Sequence, residues 1–105
     1  MTPNEYQDRC KETLTPECEN FNYLALGLAS ESGEVAGDVK KYMRNDFGWD
    51  TLRLRLLGEL GDVLWYVSNL ANEAGYSLQD VMKYNVEKLQ KRQQNGTIKG
   101  DGDDR

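Results

Sequence analysis

Histidine is absent from all 105 residues. That absence excludes Ser-His-Asp and Cys-His nucleophilic sites and every zinc site with an imidazole ligand. Cysteine is scarce as well. Cys10 and Cys18 cannot furnish the four thiolates of an all-cysteine zinc site, and with no secretory signal in view they read as two reduced thiols. Long apolar runs are missing, so nothing approaches the ~20 residues needed to cross a bilayer. The start, Met1-Thr2-Pro3-Asn4-Glu5, does not resemble a signal peptide. A soluble, cytoplasmic protein with no membrane partner is therefore expected. Positive charge is in deficit: 13 Lys and Arg stand against 18 Asp and Glu, a net charge of −5. This argues against a general grip on nucleic acid, which needs clustered cations. A small phosphorylated ligand stays possible, because a bound metal ion reverses the local sign. For chemistry, the residue types left are carboxylates, Lys, Arg, Tyr and a hard cation.

With only two prolines and no period-two alternation, the chain reads as helical throughout. A single domain spanning residues 1–105 is expected, an all-α, four-helix bundle-like fold. Thr2 can cap a first helix with Pro3 at its first position, running to about Thr13. Residues 14–20 then read as a loop. Phe21, Leu24, Leu28, Val35, Val39 and Tyr42 form the stripe of a second helix ending near Arg44. Its middle is crowded with Ala29, Gly33, Ala36 and Gly37. Each interior glycine costs about 1 kcal/mol relative to alanine, a cost usually offset by close approach of another helix or a ligand. A turn at 45–50 leads to a third helix from about Thr51 to Ala74. Its wide apolar face, Leu56 through Ala71, suits a bundle interior. Gly75 ends it, and Ser77 with Asp80 opens a fourth helix as a capping box. That helix lasts to about Asn95 and Gly96. Residues 97–105 are expected to be a flexible tail. A chain this short buries only about 60–65% of its unfolded surface alone, so a homo-oligomer is expected.

The chemistry sits in two pairs of acids, Glu31 with Glu34 and Glu59 with Asp62. Residues three apart occupy neighbouring turns of one helical face, and a short connection makes the two helices antiparallel. The pairs can then converge. With 18 acids in 105 residues, chance alone gives about three pairs at this spacing, so a solvated helix face is the alternative for either pair taken singly. Three features favour a site. Each pair lies in the most apolar part of its helix, beside Leu28, Val35, Leu60 and Val63. Each contains a glycine that leaves the space above the helix open. Glu59 and Asp62 also begin a stripe that continues through Tyr66, Asn69 and Glu73. Close carboxylates repel, and a divalent cation relieves them. Oxygen ligands suit Mg²⁺, with Mn²⁺ a substitute.

These residues resemble the MazG family of nucleotide pyrophosphohydrolases. The likeness lies in Glu31-Ser32-Gly33-Glu34, then 24 intervening residues, then Glu59-Leu60-Gly61-Asp62. The flanking text, Leu26 to Val35 and Gly58 to Tyr66, is similar too, as is Asn85 to Arg92 on the last helix. The resemblance implies Mg²⁺-dependent hydrolysis of nucleoside triphosphates between the α and β phosphates, giving monophosphate and pyrophosphate. It implies that Glu31, Glu34, Glu59 and Asp62 hold the metal, with Glu34 the candidate to take a proton from water. It implies that Lys88 and Arg92 bind phosphate, with Asn85 beside them, and that Tyr66 contacts the sugar or base. Phe47, Trp49 and Trp65 are stacking platforms or core. Small members assemble as homodimers or homotetramers. Two alternatives stand beside this reading: a pyrophosphatase for another phosphorylated compound, and a non-enzymatic helical module binding a metal or a basic partner.

Overall fold

A computed structural model describes residues 1–105 as four α-helices. They are α1 (Pro3–Glu12), α2 (Phe21–Met43), α3 (Trp49–Glu73) and α4 (Leu78–Gln94), with one 3-10 turn at Pro16–Cys18. There is no strand, as the missing period-two pattern predicts. The helix starts are set by side chains that accept otherwise orphaned backbone N–H groups. Thr2 Oγ1 accepts from Glu5 N at 3.1 Å, and Asn20 Oδ1 from Tyr23 N at 2.8 Å. Ser77 and Asp80 make the reciprocal capping box, at 3.0 and 3.4 Å. α3 begins two residues before the expected Thr51. Gly48, in extended conformation, accepts from Leu52 N at 3.1 Å, so Trp49 enters the helix rather than the loop.

α2 and α3 form the main hairpin. Asn45 turns the chain between them at φ +67°, a left-handed conformation that asparagine tolerates. Its N–H donates to Tyr42 O and that of Asp46 to Lys41 O, both at 3.0 Å, which satisfies the last carbonyls of α2. α1 is fastened by one buried amide. Gln7 Nε2 donates to Tyr76 O at 3.0 Å and its Oε1 accepts from Leu78 N at 2.9 Å. One side chain thereby ties α1 to the α3–α4 corner. Asn69, also buried, donates to Trp65 O at 3.2 Å and to Cys10 O at 3.5 Å. Its place on the acidic stripe therefore serves to hold α1 on α3. Both cysteines are free thiols.

The four helices do not close on one another within a single chain. The buried apolar set is small: Cys10, Leu24, Leu52, Ala71 and Leu78. The expected interior face of α3 is largely open, with Leu60 at 55% and Leu64 at 44% exposure. α4 touches α1 and α3 near its start and leaves Val81, Met82, Val86 and Leu89 in solvent. The radius of gyration is 16.4 Å, against about 13 Å for a compact domain of this length. The accessible surface is 7651 Å², against roughly 6,000 Å² for a compact monomer of this mass. No helix is long and apolar enough to cross a membrane.

A candidate metal centre on the α2–α3 seam

Antiparallel pairing of α2 and α3 has a constant register, so facing residue numbers add to the same value. Four pairs obey it: Gly27 with Tyr66, Glu31 with Asp62, Glu34 with Glu59, and Asp38 with Arg55. Steps of four, three and four along α2 match steps of four, three and four along α3. This is the spacing that keeps one helical face on a seam. The acids occupy the middle of that seam because both motifs place them there.

Glu31, Glu59 and Asp62 each offer a carboxylate oxygen, and the three oxygens lie within 4.8 Å of one another. Glu31 and Glu59 are half-buried and Asp62 is exposed. Glu34 stands outside this triad. It is exposed, yet close enough to act on Glu59. The Glu59 carboxyl is pushed above the usual range first by desolvation, then by the charges of Asp38, Glu34, Asp62 and Glu31. An octahedral Mg²⁺ at about 2.1 Å needs ligand oxygens about 3–4.2 Å apart. The three oxygens, at up to 4.8 Å, lie slightly wider than that span, and all are the hard carboxylate donors such an ion takes. Gly33, Gly58 and Gly61 face open space, so the access the sequence predicts above the acids is present.

The two ends of the seam differ. At one end the Tyr66 ring lies directly on the α2 backbone, where a Cβ on Gly27 would run into three of its ring atoms. Close approach, the general reason for a helical glycine here, holds at Gly27 and not at Gly33 or Gly37, which meet no protein atom. Tyr66 also packs edge-on against Trp65, with centroids 4.8 Å apart. Thr13, Glu31, Asp62, Trp65 and Tyr66 together line a cavity of about 340 Å³ beside the triad. Trp65 Nε1 donates to Thr13 Oγ1 at 2.7 Å, which fixes the indole as one wall. At the other end, Asp38 is buried and its Oδ1 pairs with Arg55 Nη1 at 3.4 Å, while Oδ2 has no partner. Arg55 lies 4.3 Å over the Phe47 ring, and Trp49 sits 6.0 Å from Tyr42. Phe47 and Trp49 thus pack around the helical turn, away from the Tyr66 cavity.

Two further residues belong to the neighbourhood without any local sequence signal. The Tyr6 phenol is pushed up to about 12 by burial, by a hydrogen bond to Cys10 and its charge, and by the charge of Asp62. Thr13 reaches the cavity only because α1 crosses α3. The expected substrate cations lie elsewhere on the molecule. Asn85 and Lys88 border a separate, mostly apolar groove with Tyr6 and Leu64. Lys88 and Arg92 line a third cavity, with the C-terminal residues.

An all-helical chain with three converging carboxylates on a two-helix seam offers oxygen ligands of the kind a hard metal ion takes. The MazG nucleotide pyrophosphohydrolase domain matches residues 19–97, and the chain belongs to that family. Members of the family generally depend on a metal. Gene 37 protein of Mycobacterium phage L5 is 45% identical over 89 residues, covering 83% of this chain and 78% of its own. Uncharacterized protein YvdC of Bacillus subtilis (strain 168) is 37% identical over 81 residues, covering 67% of this chain and 74% of its own. No solved structure matches the chain significantly.

Proposed function

We propose that the protein hydrolyses nucleoside triphosphates between the α and β phosphates, releasing monophosphate and pyrophosphate, with Mg²⁺ as its natural cation. The observation that carries this reading is the convergence of Glu31, Glu59 and Asp62 from two helices in a chain of this family. A bound Mg²⁺ would neutralise phosphate charge and make a water acidic enough to attack near neutral pH. Glu31, Glu59 and Asp62 would hold the cation on the α2–α3 seam. Glu34, one turn from Glu31 and outside the triad, takes the proton from the attacking water. Tyr66, set against Gly27 in the wall of the adjoining cavity, contacts the nucleoside. Asn85, Lys88 and Arg92 bind phosphate.

The same reading calls for more than one copy of the chain. The exposed surface exceeds that of a compact monomer by roughly 1,600 Å², about what a partner must cover twice over in a standard interface. The bare apolar residues on α3 and α4 are the surface concerned. In a homodimer or homotetramer, Lys88 and Arg92 of one copy can approach the acids of another, which they do not do within one chain.

Product analysis tests the activity. With Mg²⁺ the protein is expected to convert a nucleoside triphosphate to monophosphate and pyrophosphate in equal amounts. The reaction is expected to stop in chelator and in Asp62→Ala. Release of orthophosphate and diphosphate instead, or unchanged turnover in Asp62→Ala, contradicts the proposal.

A further inference from the structure

The chain after α4 ends in a glycine-spaced acidic sequence, Gly100-Asp101-Gly102-Asp103-Asp104-Arg105. Positive φ values at Gly96, Gly100 and Gly102 let it coil back, a conformation glycine adopts without the penalty other residues meet. Arg105 closes the coil. It donates to Thr97 O at 3.0 Å, Ile98 O at 2.9 Å and Gly102 O at 2.7 Å, while Thr97 Oγ1 donates to the Arg105 carbonyl at 3.2 Å. With Nε, Nη1 and Nη2 each donating to a backbone carbonyl, Arg105 serves the loop's shape.

The closed loop delivers one carboxylate to α4. Asp103 Oδ1 accepts from Lys88 Nζ at 2.8 Å and from Arg92 Nη2 at 3.1 Å, and Asp103 O accepts from the same Nη2 at 2.7 Å. Lys88 and Arg92 are one turn apart, so both reach a single point. The Arg92 side chain is only 10% exposed, and its buried Nε has no partner. Lys91 borders the same cavity of about 270 Å³, and Glu87 and Asp104 are its other acids. Two cations meeting on one carboxylate oxygen is the arrangement a phosphate oxygen would take. Arg92 Nη2 is held by both the carboxylate and the carbonyl of Asp103, so a phosphate that takes the same donor competes with that residue.

We propose that Lys88 and Arg92 form a seat for the phosphates of a di- or triphosphate, which the C-terminal loop fills with the Asp103 carboxylate until phosphate displaces it. This rests on the reading of Lys88 and Arg92 as phosphate-binding residues. The loop is then a built-in competitor for substrate and product phosphate. Because the ion pairs are exposed at Asp103, 70% open to solvent, the competitor is weak enough to yield.

Calorimetric binding of inorganic pyrophosphate, without metal, tests this in the full chain. Asp103→Asn keeps the side-chain shape and removes the competing charge, and is expected to tighten binding about three- to tenfold. Adding Lys88→Ala to that variant is expected to erase the gain. In the wild type, amide hydrogen exchange at residues 97–105 is expected to quicken as pyrophosphate saturates. Binding that is unchanged or weaker in Asp103→Asn makes the loop a fixed clip and overturns the proposal. So does a gain that survives Lys88→Ala, or protection of 97–105 that persists at saturation. Pyrophosphate binding absent from every variant overturns the seat itself. None of these readouts uses turnover, so a chain that failed to hydrolyse nucleotides would leave the result legible.

Discussion

Gly27→Ala separates close approach from mere helix propensity. In an open helix interior, replacing glycine by alanine stabilises by about 1 kcal/mol. Gly37 is such a place, since a Cβ there meets nothing within 4 Å. At Gly27 the new methyl collides with Cε1, Cζ and Cδ1 of Tyr66. These are ring atoms, which cannot bend aside like the tip of a long chain. Overpacking of this kind costs about 1–3 kcal/mol, so the propensity gain is cancelled or reversed. Gly27→Ala should then be about 1–3 kcal/mol less stable than Gly37→Ala. For a domain near 100 residues each kcal/mol moves Tm by roughly 4–8 °C. Thermal melts at fixed protein concentration read the difference. A double-mutant cycle isolates its cause: in a Tyr66→Ala background the methyl has room, and Gly27→Ala becomes stabilising. Equal Tm shifts for the two glycines, or a cycle with no coupling between Gly27 and Tyr66, would refute the packing argument and with it the rigid cavity wall.

Three other substitutions probe separate parts of the structure. Glu59, its pKa raised by desolvation and neighbouring acids, binds its proton more readily folded than unfolded. Metal-free protein should therefore lose stability as pH rises from the ordinary carboxylate range through the higher folded value. Glu59→Gln should melt above wild type in chelator at neutral pH, and lose the rise in Tm that Mg²⁺ gives wild type. A lower melting temperature for Glu59→Gln in chelator contradicts this. Gln7→Ala strands the Leu78 N–H and the Tyr76 carbonyl, and should cost about 2–4 kcal/mol; a loss under 1 kcal/mol, read by denaturant unfolding, goes against the role given to Gln7. Leu57, 74% exposed on α3, should lie under a partner copy. Light scattering at micromolar concentration should report a mass of at least two chains, reduced in Leu57→Glu, and a monomeric wild type contradicts the assembly.

The sequence carries local information well and distant partners poorly, and the seam shows both. Thr2 and the Ser77–Asp80 box are caps read correctly because a cap is settled within four residues, whereas Asn20, read as loop, caps α2. That the two acidic pairs could converge was legible because two motifs at helical spacing, joined by a tight turn, suit an antiparallel register. The same register also pairs Asp38 with Arg55 and Gly27 with Tyr66, but a single acid or glycine in a helix gives no sign of what it faces. Tyr6 and Thr13 lie 56 and 49 residues from Asp62, and nothing in α1 announces where it crosses α3. Asn69 shares the acidic stripe yet is buried under α1, because spacing identifies a face and not its covering. Leu60 and Leu64 read as interior by the same logic, and in one chain they are bare. The contact of Asp103 with Lys88 and Arg92 depends on glycine conformations that composition alone does not specify.

On the proposed function, the seam's carboxylates share one hard cation. Electron paramagnetic resonance of Mn²⁺ titrated into the protein, with Mg²⁺ as competitor, measures it without reference to any substrate. Wild type is expected to bind Mn²⁺ and release it to Mg²⁺, and Glu31→Gln, Glu59→Gln and Asp62→Asn are each expected to weaken binding by roughly tenfold or more. Mn²⁺ held as tightly by all three variants as by wild type would mean the three carboxylates are a solvated face and not a metal centre.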